Sequence, residues 1–169
     1  MARWSYFAPS HRPILKVTNK LLYVPIEVVS THRAQRQIAA LHRTHHKVFT
    51  AFLDDLAHSG CAALAYRLTG PVPLNRICVK HLRDTLRVVV AFETPRRACI
   101  LLVGTHDDTD PNGDVYAELY GLLGVDPPDA TRRAKPPCCG DDDKPPPSLG
   151  DDLADLIIRT AKHRKARRH

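Results

Sequence analysis

The sequence predicts an α+β domain, a small and mostly antiparallel sheet packed by helices. Two observations carry this. Between Leu74 and Gly104 three apolar stretches rich in Val and Ile follow one another: Leu74–Leu82, Leu86–Glu93 and Ala98–Gly104. Only Arg83-Asp84-Thr85 and Thr94-Pro95-Arg96-Arg97 separate them. Loops that short join antiparallel neighbours, because a parallel crossover needs about a dozen residues or more. The three therefore read as a meander. Upstream, the chain from Ser30 has no Gly or Pro until Gly60, and Ala34, Ile38, Leu41, Val48, Phe52 and Leu56 recur near the helical period.

Taken in order, residues 1–20 are basic and read as an arm, with Ile14–Thr18 extended. The main domain spans residues 21–124. Leu21–Val29 is β-branched and apolar, a first strand that Pro25 places at an edge or bend. Ser30 or Thr31 opens the helical segment, one helix or a pair breaking near Arg43-Thr44-His45, packed on one face of the sheet. Cys61–Leu68 reads as a strand or as more helix, and Thr69–Pro73 as a loop. After the meander, Asp114 is placed to cap a short helix that stops at Gly124, with Val115, Leu119, Leu122 and Leu123 on its buried face. Residues 125–150 are dense in proline and carry Gly140-Asp141-Asp142-Asp143, so they read as a disordered linker. Residues 151–169 read as a basic amphipathic helix, with Asp at its start and Lys/Arg at its end.

Composition narrows the function classes. The apolar fraction is 43%, enough for a core, and the net charge of +7 favours a polyanionic partner. No apolar run is long enough to span a membrane, and the N-terminus lacks the apolar region of a secretory signal. With five cysteines, an odd number, the default is a reducing cytoplasm. Cys78 and Cys99 then read as small core residues, and the vicinal pair Cys138-Cys139 supports neither an unstrained disulfide between the two nor, without a second CxxC, a zinc site.

Chemistry is sought first on the basic strands. Arg76, Lys80 and Arg83 are spaced to meet successive phosphates, or else are solvated sheet charges. Arg87 is the only charged residue between Leu86 and Phe92. It therefore faces solvent on an open sheet face or sits in a site. The loop Asp108-Thr109-Asp110-Pro111-Asn112-Gly113 matches the first half of a calcium loop, but position twelve is Leu119, so it reads as a solvated turn. His42 and His46 have the spacing of a metal pair but lack a third ligand, and read as a polar helix face. No metal or other cofactor is expected. The six Lys/Arg of Arg159–His169 offer a non-specific contact to nucleic acid.

Three pieces in order, Leu86-Arg87-Val88-Val89, Val103-Gly104 and Val115-Tyr116, resemble the C-terminal half of RelE/ParE-family toxins of type II toxin–antitoxin systems. The resemblance covers about a third of the chain. It implies a ribosome-associated toxin that cuts messenger RNA without a metal, through attack of a 2′-hydroxyl, and a cognate antitoxin as partner. It places Arg87 as the transition-state cation, Lys80 as a strand lysine, and Tyr116 as acid or base, with Tyr120 its substitute. His106 stands where a second arginine is usual, and the loop after it is longer than usual. Two alternatives share the fold: a ParE-like inhibitor of DNA gyrase that catalyses nothing, and a nucleic-acid-binding protein with a decayed active site.

Overall fold

A computed structural model describes residues 24–110, 112–127 and 134–150. The basic arm, the start of the first expected strand, Pro111 and the stretch 151–169 expected as a tail helix lie outside the described residues. The elements run β1 (Glu27–Ser30), α1 (His32–Ala39), α2 (Arg43–Ser59), β2 (Tyr66–Arg67), β3 (Ile77–His81), β4 (Leu86–Thr94), β5 (Arg97–Thr105) and α3 (Val115–Leu123). The architecture is α+β with a five-stranded mixed sheet in the order β1-β5-β4-β3-β2. β1 runs parallel to β5, and the other three pairings are antiparallel.

The meander forms where the short loops demanded it. In the β3–β4 hairpin, Leu86 N–H donates to Arg83 and Leu82 N–H donates to Leu86. Asp84 takes a φ of 53°, a left-handed turn position that Asp tolerates better than most residues. Between β4 and β5 the register slips after Val89, which pairs with Leu102, while Val90 pairs with Ile100. Leu101 is the extra residue of a bulge, so Leu101 and Leu102 both enter the same core cluster.

β4 and β5 are apolar on both faces, and both faces are covered. On one, Ala34 of α1 and Phe49, Phe52 and Leu56 of α2 pack on Val88, Val90, Phe92, Ala98 and Ile100. On the other, Val115, Leu119 and Tyr120 of α3 pack on Val79, Val89, Ala91 and Leu101. The expectation of helices on one face is thereby corrected. Strands buried on both sides read as continuous apolar runs and need two covering layers. The expected helix pair breaks at Ala40–His42, just before Arg43. The 61–68 stretch divides into a 3-10 turn, Gly60–Ala63, and the short β2.

The outer edge of β5 is closed by α1 beyond the reach of β1. Thr31 caps α1 by accepting from Ala34 N–H, and its hydroxyl donates to the Leu101 carbonyl at 2.8 Å. Gln37 accepts from Val103 N–H at 2.9 Å. Such side chains satisfy ladder groups that an open edge would leave to another chain.

Residues 134–150 are not free chain. Cys138 is bonded to Cys78 and Cys139 to Cys61. Pro136 accepts from Arg67 N–H on the outer side of β2, and Arg76 donates to the Ser148 carbonyl. Leu149 is 2% exposed within the α3-side core. Composition alone casts this stretch as a linker, because prolines and aspartates cannot bury enough surface. Two covalent anchors supply what burial does not. They also correct the reading of the cysteines: only Cys99 is free, and it is buried.

Candidate functional site

One row of residues crosses the α3-side face of the sheet. Arg87 of β4 pairs with Gly104 of β5 on one side and with His81 of β3 on the other. The next row holds Val89, Val79 and Tyr66, since Val79 pairs with both Val89 and Tyr66. The helix α3 lies over these rows. Gly104 permits its approach: a Cβ there would meet Val115 Cβ at 3.3 Å. Asp114 starts the helix by accepting from Tyr116 and Ala117 N–H, and Gly124, left-handed at φ 67°, ends it.

This start places Tyr116 above the rows. Its hydroxyl is 2.6 Å from that of Tyr66. Its ring stands edge-on to His106, with centroids 4.8 Å apart. Burial, followed by the hydrogen bond to Tyr66, raises the Tyr116 pKa far above the usual phenol value, and nearby Arg87 only partly opposes the rise. Tyr116 therefore stays protonated and is poorly suited to act as a base.

His106 follows β5 directly. Its backbone N–H donates to Thr85, and its Nδ1 is 2.6 Å from an Asp114 carboxylate oxygen. The Asp114 carboxylate on Nδ1 sets the ring orientation, and Nε2, the nitrogen that can carry or take a proton, faces the exposed Asp108 carboxylate at 3.4 Å. Asp114 is thus shared between the helix cap and the imidazole. Arg87 donates to the carbonyls of Asp84 and Leu86 at 3.3 Å. Among the described residues no carboxylate pairs with it, so its charge is open to an anion.

The sequence-predicted residues divide. Arg87, His106 and Tyr116 come together. Lys80 does not: it pairs with Val88, whose side chain belongs to the α2-side core, so it lies on the opposite face from Arg87. Arg76 holds the 134–150 segment through Ser148, and Arg83 is exposed, 3.6 Å from Asp84. Tyr120 is 7% exposed in the core and is no surface substitute for Tyr116. Sequence reasoning passed over His81, Tyr66 and Lys135. His81 was within reach, since a three-residue hairpin loop puts residues 81 and 87 opposite each other.

No protein-family model matches the chain, and no curated protein matches it. Among solved structures it is similar to the toxin–antitoxin complex RelBE2 from Mycobacterium tuberculosis. The two share 20% sequence identity at a TM-score of 0.41, over 49% of this chain and 100% of that one. A likeness of that size decides neither fold nor activity.

For a cation, His106, Asp108 and Asp114 bring ligand atoms within 4.8 Å of one another. The oxygens of Asp114 already serve His106 and the start of α3, and the Asp108 side chain is 90% exposed. The group is better described as a carboxylate-oriented histidine than as a metal cage. Among the described residues no helix is long and apolar enough to cross a membrane.

Proposed function

We propose that the Arg87 face binds RNA and cuts its phosphodiester bond without a metal, and that the chain acts as a toxin restrained by a cognate antitoxin. The observation that carries this is the arrangement itself: Arg87, with no carboxylate partner among the described residues, is flanked by His81 on one strand and by carboxylate-held His106 beyond the other. The sequence resemblance to RelE/ParE toxins supports the same reading.

In this reading His106 Nε2 takes the proton of a 2′-hydroxyl as that oxygen bonds to phosphorus. Asp114 steadies the imidazolium that forms. The bond from phosphorus to the 5′-oxygen breaks, and that oxygen takes a proton from His81. The products are a 2′,3′-cyclic phosphate and a 5′-hydroxyl. Arg87 meets the charge that grows on the non-bridging oxygens, and the Tyr116 hydroxyl donates beside it. His81 contacts the Asp84 carbonyl through Nε2, which leaves Nδ1 for the transfer.

The test is cleavage of a defined message by purified protein, with and without ribosomes. His106→Ala and Arg87→Ala should each lose about 100-fold or more in rate, within the usual worth of a general base or a transition-state donor. Full activity in both variants would refute the assignment. A non-catalytic reading, a gyrase inhibitor or a nucleic-acid-binding protein, is favoured by one observation: the Tyr116 hydroxyl is already engaged by Tyr66. Growth arrest with intact message would select it.

A further inference from the structure

We propose that Lys135, held beside the Tyr66–Tyr116 pair by a cysteine-pinned strap, is a further substrate-binding residue that contacts a phosphate neighbouring the one at Arg87. The proposal rests on the reading of this face as an RNA site.

Residues 134–150 form the strap. It meets the outer side of β2 at Pro136, where Arg67 N–H donates at 2.8 Å, so Lys135 arrives next to Tyr66. Its Nζ lies 5.1 Å from the centre of the Tyr66 ring. Cation and ring attract at such a distance, which fixes where the charge sits. Lys135 is exposed, and among the described residues no carboxylate pairs with it. A second cation, without a carboxylate partner among the described residues, therefore stands by Tyr66 on the strand next to β3, and the Tyr66 hydroxyl reaches Tyr116 over the face that bears Arg87. Two cations at separate positions along one face track a polyanionic backbone; one alone does not.

The anchoring is what makes this a site and not a surface lysine. Three residues on from Lys135, Cys138 is bonded to Cys78 of β3, and Cys139 is bonded to Cys61. The far end is held by Leu149 in the core and by Arg76 on the Ser148 carbonyl. Reducing the disulfides frees the near end, and the lysine loses its fixed place.

The test uses the full oxidised chain and a fluorescent single-stranded RNA carrying 2′-O-methyl groups, which binds but has no attacking hydroxyl. Affinity is read by anisotropy across a salt series, for wild type, Lys135→Ala, Lys135→Arg and Arg87→Ala. Lys135→Ala should weaken binding about 5-fold and flatten the slope of log K against log salt by about 0.7, the value for one phosphate contact on a single strand. Lys135→Arg should keep both. Reduction should bring wild type to the level of Lys135→Ala and leave that variant unchanged. If Lys135→Ala binds as wild type while Arg87→Ala weakens, the lysine contact is wrong and the face still stands. If neither substitution matters, the RNA reading fails and takes the lysine with it.

Discussion

The hydroxyls of Tyr66 and Tyr116, fifty residues apart in the chain, stand 2.6 Å from each other above the sheet face that carries Arg87. The bond ties the short edge strand β2 to the first turn of α3. It also accounts in part for the raised Tyr116 pKa, after burial itself.

Tyr66→Phe should therefore lower the Tyr116 pKa and cost about 1 kcal/mol, the usual net worth of one hydrogen bond. Because the folded value is raised, the stabilisation is complete below the unfolded value of 10.0 and is lost as pH rises above it. Spectrophotometric titration of the tyrosines checks this: one phenol should resist ionisation in wild type and ionise earlier in Tyr66→Phe.

Cys99 gives a second alkaline signature. Burial, more than the nearby Glu93 charge, raises its thiol from 9.0 to about 11. Stability from this group is whole below pH 9 and falls as pH climbs toward 11, by about 3 kcal/mol in all. Urea midpoints measured between these limits should decline less steeply for Cys99→Ala than for wild type.

Gly104→Ala should loosen α3 on the sheet. The added methyl would press on Val115, and overpacking of this kind costs about 1–3 kcal/mol. Since Val115 adjoins Tyr116, the same change should reduce cleavage more than the loss of stability explains. Thermal melts and rates on the same samples separate the two effects.

The cysteine pattern makes a count. Five cysteines with two disulfides leave one thiol. Denatured without reductant, the chain should bind one equivalent of a thiol reagent, and five after reduction. The native chain should bind almost none, because Cys99 is buried. Replacing Cys138 and Cys139 together by Ser should cost several kcal/mol, with about 2–5 typical for a native disulfide in a small domain.

The meander and the ends of α3 at Asp114 and Gly124 were legible, and the start of α1 to within Ser30 or Thr31, because each is a local device. Loop length sets strand direction, and a side chain or a left-handed residue ends a helix. The two-sided cover was half legible: continuous apolar runs in β4 and β5 signal burial on both faces, but not what lies over each. The strap was hidden because its stability comes from covalent bonds to Cys61 and Cys78, far away in sequence, while its own composition is that of a linker. In the site, the resemblance led to Arg87, His106 and Tyr116. It misled on Lys80 because the alternation that puts Arg87 on the α3 side puts Lys80 on the other.

The most direct test of the proposed chemistry is the nature of the ends produced when a defined RNA is incubated with the oxidised chain and excess EDTA. The row of Arg87, His81 and His106 predicts 2′,3′-cyclic phosphate and 5′-hydroxyl ends, formed undiminished by the chelator and lost in His106→Ala. Cleavage that EDTA abolishes, or ends that carry a 5′-phosphate and a 3′-hydroxyl, would contradict it.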